Sequence, residues 1–451
     1  MKHLSVPSAS RKFFCRHLCL ACALILGSLC TSGEVQAQQS NFKIEDARDI
    51  LKLIKDDVRK NYYDAKFHGI DPEAHFKAAD EKLKAAQTVG QMLGIIAQTL
   101  LDFDDSHLFF LPPGRMDRTQ YGWEMQAIGN EVYVSAIKPG SDAETKGLKE
   151  GDRLLSINGF IPDRNNLWKL QYLFNALRPQ PGLRVVVQSP DGKQRELDVL
   201  AKVRHGKQVM DLTNTFEFGD FIRQLEDQDH QDRSRWQDFG DELIIWKLPT
   251  FVIDDKDLEV MMGRVRKHKA VILDLRGNGG GYVDICQRMV GAFFEKEVLM
   301  AEYKGRKENM KPMKSKKSMP PFNGLLTVVI DNRSASASEI FARVMQLEKR
   351  GLIIGDRSAG AVMRSRQYGH QLGVDTRIIP YGVSVTDADV MMSDGKSLEK
   401  TGVVPDELVL PAGADLAAKR DPVLARAAGL LGIKLDPEKA GTLFPVIWRK
   451  E

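Results

Sequence analysis

The segment Asn332-Arg333-Ser334-Ala335-Ser336-Ala337-Ser338-Glu339-Ile340 constrains this chain more than any other. The apolar run Leu325–Ile330 ahead of it reads as a buried strand, and Glu339–Arg350 behind it as a helix. A serine at such a strand-to-helix turn presents its hydroxyl to a cleft, with helix N–H groups beside it for a developing oxyanion. The same residues also fit a purely local role. Ser336-Ala337-Ser338-Glu339 matches a capping box, in which the serine caps the helix and Glu339 reaches back. The two roles are compatible, because a nucleophile can occupy the first turn of a helix.

Around this turn the chain alternates strands and helices: Leu243–Leu248, a helical Val260–Lys267, Ala270–Leu275 and Leu352–Gly355. Near-continuous apolar strands in such alternation predict an α/β sheet with helices packed on it. Upstream the patterns differ. From about Asn41 to Leu101 apolar residues recur at helical spacing, as in Ala47, Ile50, Leu51, Ile54 and Val58. Residues from about 119 to 205 give short alternating runs, Glu131–Ile137 and Arg184–Gln188, separated by Pro139-Gly140 and Asp191-Gly192 turns. The stretch 205–240 is polar, and Glu226–Arg233 reads as a solvated hairpin or loop. The expected order is residues 1–37 leader, 38–117 helical region, 118–205 β-rich module and 206–451 α/β core.

The leader expectation rests on Lys2, Arg11, Lys12 and Arg16 ahead of an apolar run Leu18–Leu29, then Val35-Gln36-Ala37 as a cleavage site. A cleaved signal peptide predicts a periplasmic or secreted protein. Cleavage after Ala37 removes four of the 65 basic residues and one of the 61 acidic ones, which leaves a net charge near +1. That balance points to neither a nucleic-acid nor an anionic-membrane partner. Cleavage also removes Cys15, Cys19, Cys22 and Cys30, so Cys286 remains alone and no internal disulfide is expected. No later run approaches 18 apolar residues, so no integral membrane span is expected.

Arg276 is followed by Gly277-Asn278-Gly279-Gly280-Gly281, a loop that leaves backbone N–H groups exposed and admits another chain closely. It lacks the Gly-Lys-Ser/Thr ending of a nucleotide loop. Beside a nucleophilic serine, Gly279 or Gly280 is suited to donate one oxyanion N–H and Ala337 the other. Gly147–Asp152 followed by Leu154–Gly159 resembles a PDZ domain, with Tyr121-Gly122-Trp123 where that family receives a peptide carboxylate.

A helical region, a PDZ module, Arg276–Gly281, Ser334–Ile340 and finally Leu398-Glu399-Lys400-Thr401-Gly402-Val403-Val404-Pro405-Asp406 occur in that order. The chain thereby resembles the C-terminal processing (tail-specific) serine peptidases. The resemblance implies a crotonase-like α/β core, polypeptide substrates whose C-termini the PDZ module binds, and a nucleophile at Ser336. No His-Glu-x-x-His motif is present, the Asp/Glu clusters fall on polar loops and the chemistry needs no metal, so no cofactor is expected; homo-oligomer formation stays open.

One departure matters. The family's serine–lysine dyad places its lysine at the position of Ala361, and a methyl group cannot take a proton. Arg364 and Arg366 stay charged and are no bases. Three readings remain: an inactive peptide-binding relative, a substitute base from elsewhere in the fold, or the arrangement of the tricorn-like branch. That branch uses serine, histidine and glutamate with a second serine just before the histidine. Matched to it, His107 is the base, Ser106 supports it and Glu399 orients the imidazole. His370, near the missing lysine, is the other histidine candidate, while His68, His75, His205, His230 and His268 read as surface. Asp104 and Asp105 are expected to position the Ser106–His107 loop, and Asp394 to serve a turn. An acyl-CoA enzyme of the crotonase type shares the core but leaves the PDZ module and the leader without purpose.

Overall fold

The computed structural model describes residues 42–114, 117–205, 233–306, 310–373 and 379–448. The leader and residues 206–232 of the polar stretch lie outside the described residues.

Three helices come first: Ile44–Asn61, Pro72–Lys84 and Val89–Leu101. The first buries Ala47, Ile50, Leu51, Ile54 and Val58, a stripe set by its helical spacing. Thr88 caps the third by accepting from the Gln91 N–H. A short loop then leads to the strand Phe109–Leu111. This strand pairs antiparallel with Gly382–Ser384 of the long strand Ile379–Met392 and so joins the helical region to a sheet built late in the chain.

The β-rich module is a five-stranded sheet in sequential order: Trp123–Ile128, Glu131–Ile137, Arg153–Ile157, Gly182–Gln188 and Gln194–Leu200. Alternate residues of Glu131–Ile137 are buried, as a sheet with one covered face requires. Asp117–Gln120 pairs antiparallel with Lys202–His205, so entry and exit strands close the module at its base. Trp123–Ile128 is the edge strand, and the helix Leu167–Tyr172 with its continuation Leu173–Leu177 supplies buried side chains to the same core.

The α/β core holds a six-stranded sheet in the order Glu407–Leu408, Leu352–Gly355, Leu325–Ile330, Ala270–Asp274, Leu243–Lys247 and Arg235–Phe239. The first five strands run parallel, and the last is an antiparallel edge. Ala270–Asp274 is buried at every position, because helices cover both faces. One face packs Ile244, Trp246, Val271, Leu273 and Val328 against the helices Asp255–Val265, Val283–Gly291 and Ala337–Leu347. The other packs Ile245, Ile272, Val329 and Ile354 against Pro422–Leu430. Three adjacent parallel strands therefore deliver three loops to one carboxyl-end edge: 275–282, 331–336 and 356–362. Such an edge is where open α/β sheets place their ligands. No helix among the described residues is long and apolar enough to cross a membrane.

Candidate active site

The three alternating serines are not equivalent. Ser334 Oγ donates to the Leu275 carbonyl at 2.8 Å, and Ser338 Oγ donates to the Asn278 carbonyl at 2.8 Å. Both outer hydroxyls thus tie the turn to the glycine loop. The middle serine, Ser336, makes no side-chain cap of the helix Ala337–Leu347. Its backbone sits at φ 53° and ψ −116°, a conformation that costs an L-residue about 1–3 kcal/mol and persists only where neighbours enforce it. The enforcement is visible. The Ser336 N–H donates to the Ala361 carbonyl and to Glu339 Oε2, each at 3.0 Å.

Glu339 does more than reach back within its own helix. Its fully buried carboxylate also accepts from the Ser358 hydroxyl at 2.6 Å and from the Gly360 and Ala361 N–H groups at 2.8 and 2.9 Å. Burial pushes the Glu339 carboxyl up, and these four donors oppose the shift. The sequence pointed only to the local contact; the other three donors come from about twenty residues further along.

The glycine loop lies across from this turn. Gly281 has φ +134°, and a Cβ there would meet the Phe251 carbonyl carbon at 2.7 Å, so the close approach demands glycine. The Gly280 N–H is already engaged by Asn278 Oδ1 at 2.9 Å. That makes Gly280 unsuited as an oxyanion donor, whereas Gly279 lines the cleft beside Ala335. Asp331 fixes the start of both loops by accepting from the Gly277 N–H at 2.9 Å and the Arg333 N–H at 3.0 Å.

Residues 104–108 reach this site from the other end of the chain. Asp105, buried, accepts from the His107 and Leu108 N–H groups at 2.8 and 3.1 Å. It also accepts from the Tyr62 hydroxyl at 3.0 Å and the Thr386 hydroxyl at 2.7 Å. Asp104 pairs with Lys400. The Ser106 hydroxyl stands between two groups: Glu399 Oε2 at 2.8 Å and His107 Nδ1 at 2.7 Å. The Ser106 N–H donates to Glu399 Oε1 at 2.9 Å, and the Val362 N–H donates to Oε2 at 3.0 Å. With Glu399 ionised, Ser106 gives its one proton to the carboxylate and accepts from Nδ1–H. His107 then carries its proton on Nδ1, and Nε2 is its basic nitrogen. Burial and the nearby Asp105 charge push Glu399 up to about 7, while His107 and the Ser106 donors oppose the shift.

Ala361, the position of the absent lysine, is in contact with this arrangement through its backbone. Its carbonyl receives the Ser336 N–H, and the next residue, Val362, donates to Glu399. Other basic groups are committed elsewhere. Lys247, whose ammonium pKa is lowered by burial, donates to the Arg276 carbonyl at 2.6 Å and faces Asp274. His370 lies 2.6 Å from Asp57 Oδ2 and stacks on Tyr381, away from the serine turn. His68 is exposed, as expected, with Nδ1 2.7 Å from the Phe103 carbonyl, whereas His75, read as surface, is half-buried with Nε2 2.9 Å from the Thr99 carbonyl. His268 is also largely covered and faces Asp238 at 3.2 Å. Asp394 accepts from the Lys396 N–H in its turn and pairs with Arg343 at 2.6 Å.

A cleft of about 430 Å³ opens over the site. Ser106, Gly279, Ala335, Ala361 and Glu399 line one side, and Trp168 and Lys169 of the β-rich module line another. In that module the Tyr121 hydroxyl donates to the Phe174 carbonyl at 3.2 Å, which fixes the loop before the edge strand. Gly122 has φ +74°, and a Cβ there would lie 2.5 Å from Ser141 Cβ. Among the described residues, no group of three or more His, Cys, Asp or Glu side chains is arranged to hold a metal ion.

Residues 244–409 match the profile of peptidase family S41, and residues 116–187 match the PDZ domain. A tail-specific protease of Haemophilus influenzae is 26% identical over 294 residues, which cover 63% of this chain and 39% of that protein. A carboxyl-terminal-processing protease of Picosynechococcus is 23% identical over 349 residues, 74% of each chain. The chain spans less than half the length of the first two curated relatives it matches. A solved structure of mature CPAF complexed with lactacystin superposes with a TM-score of 0.60 at 14% identity, covering 83% of this chain and 95% of that one. The match shows a shared fold.

Proposed function

Because residues 244–409 match peptidase family S41, residues 116–187 match the PDZ domain and the relatives are named tail-specific and carboxyl-terminal-processing proteases, we propose that the chain is an exported serine endopeptidase working through Ser336, His107 and Glu399. The observation that carries this reading is the Ser106 hydroxyl held between Glu399 and His107 Nδ1. In the proposed reaction His107 Nε2 takes the Ser336 proton as Oγ bonds to the scissile carbonyl carbon. The carbonyl oxygen becomes the oxyanion, and the Ala337 and Gly279 N–H groups receive it. His107 then returns the proton to the leaving amine, and water, activated the same way, hydrolyses the acyl-enzyme. Glu399, through Ser106, holds the imidazole tautomer and stabilises its charged form. The PDZ module captures or gates the polypeptide by adding it to the edge strand beside Tyr121-Gly122-Trp123.

The competing reading, a peptide-binding protein without catalysis, draws its support from Ala361, which stands where the family has its dyad lysine. Labelling of the chain without residues 1–37 with a fluorophosphonate, across pH 5 to 10, separates the two. The expected result is labelling that rises toward neutral pH and vanishes in Ser336→Ala and His107→Ala. Normal turnover in His107→Ala overturns the histidine mechanism, and absence of labelling at every pH favours the inactive reading.

A further inference from the structure

After the helix Pro437–Thr442, the chain continues as Leu443-Phe444-Pro445-Val446-Ile447-Trp448 and lies against the PDZ module. Arg235 anchors its start: the guanidinium donates to the Pro445 carbonyl at 2.7 Å and lies over the Phe444 ring at 5.6 Å. Phe444, Val446 and Ile447 then line a cleft between the module and the core, together with Glu124, Gln126 and Ile128 of the PDZ edge strand and Asp331 and Arg333 of the serine turn. Trp448 reaches the pocket formed by the loop Gln120–Trp123 and by Phe174 and Asn175 after the PDZ helix. Lys138 Nζ lies 6.0 Å from its ring centroid. The volume left in that pocket is about 60 Å³. That is room for about two waters, far below the several hundred Å³ that a bound side chain and its backbone need.

Val446 and Ile447 keep 45% and 43% of their surface exposed. Two large apolar side chains left half in water hold a segment much less firmly than core burial does. The segment is therefore seated and removable. We propose that residues 444–448 are the resident occupant of the PDZ peptide groove, and that an incoming apolar polypeptide end must displace Trp448 to bind. This rests on the capture role proposed above for the module, and it is independent of whether Ser336 is catalytic.

The test uses the full chain in a Ser336→Ala background. Fluorescence anisotropy follows a fluorescein-labelled apolar octapeptide with a free carboxylate, beside a labelled peptide of residues 441–451. A groove occupied nine-tenths of the time weakens apparent affinity about tenfold. Trp448→Ala is thus expected to lower the Kd of the octapeptide at least about tenfold. The labelled 441–451 peptide is expected to bind the Trp448→Ala chain and to compete with the octapeptide. Ile447→Asp, at a half-exposed position, provides a second variant with the same expectation should Trp448→Ala fold poorly. Equal octapeptide affinity with and without Trp448 overturns self-occupancy but leaves the capture role standing. Binding of the 441–451 peptide without binding of the octapeptide supports self-occupancy and removes the capture role. Binding of neither peptide to the variants overturns both.

Discussion

At the scale of single residues, the relay through Ser106 makes proton bookkeeping at Glu399 decisive. Ionised, Glu399 accepts the Ser106 proton, and Nδ1–H donates to Ser106. Protonated, the carboxyl competes to donate, the relay reverses, and His107 is left with its proton on Nε2, the wrong tautomer for a base. With Glu399 pushed up to about 7, activity is expected to rise with pH through that value. Glu399→Gln is expected to lower kcat about 10²-fold and to remove that limb from the pH profile, which steady-state kinetics from pH 5 to 9 checks. The stability consequence has the opposite sign. A carboxyl whose folded pKa lies above its unfolded one binds its proton more tightly when folded, so its contribution is present below about pH 4.5 and is lost as pH rises toward 7. Glu399→Gln is therefore expected to melt higher than the unsubstituted chain at pH 8, with the difference shrinking at pH 5. Ser106→Ala is expected to reduce kcat by a similar factor with little change in KM, whereas Asp104→Ala, at an exposed ion pair, is expected to change either by less than about twofold. The Ser-His pair and Glu399 are legible in the sequence. The hydroxyl standing between them is not, because a contact across 293 positions has no local signature.

At the scale of elements, the strand-to-helix turn is legible nearly whole: a buried strand, alternating serines, a helix, and Glu339 reaching back to the Ser336 N–H. What the spacing conceals is the inequality of the serines. Ser334 and Ser338 spend their hydroxyls on the carbonyls of Leu275 and Asn278, donors and acceptors that only strand adjacency brings together. Glu339 is likewise a capping residue in the sequence and a four-donor staple in the fold. Glu339→Ala strands four buried donors and is expected to cost about 3 kcal/mol or more in urea unfolding. Ser336→Ala, by contrast, removes a hydroxyl with no capping role and is expected to leave the unfolding midpoint within about 0.5 kcal/mol.

At the scale of the molecule, the PDZ module and the core are joined by a largely buried ion pair. Arg164 pairs with Asp356, and its other nitrogens donate to the carbonyls of Gly129 at 2.5 Å and Arg357 at 2.9 Å. Burial pushes the Asp356 carboxyl up, and Arg164 holds it down. Arg164→Ala leaves that carboxylate without its counter-charge and is expected to cost about 3 kcal/mol at neutral pH. The loss should shrink at lower pH, where the carboxyl can take a proton instead. Denaturant titrations at both pH values, with limited proteolysis of the module boundary, check this; an equal loss at both would dismiss the charge argument. A second long-range join is the pairing of Phe109–Leu111 with Gly382–Ser384. It places the loop carrying His107 beside strands made more than 270 residues later.

The sequence by itself determined the kinds and order of the elements, the serine-bearing turn, the glycine loop, the PDZ signature and the absence of the lysine at 361. Those are local facts, fixed by periodicity, turn chemistry and residue type. The tertiary structure alone decided which serine is left uncommitted, that Gly280 is engaged and Gly279 lines the cleft, and that Ser106 bridges Glu399 and His107. It also decided that Phe444, Val446 and Ile447 share a cleft with the edge strand and that Trp448 lines the pocket beside Gln120–Trp123. The site residues depend on strands that become neighbours without being consecutive: parallel ones bring together the loops of 279, 336 and 361, and the antiparallel pairing of Phe109–Leu111 with Gly382–Ser384 adds residue 106. Hydrogen-bond partners where such loops meet are chosen by distance in space, which no spacing along the chain encodes.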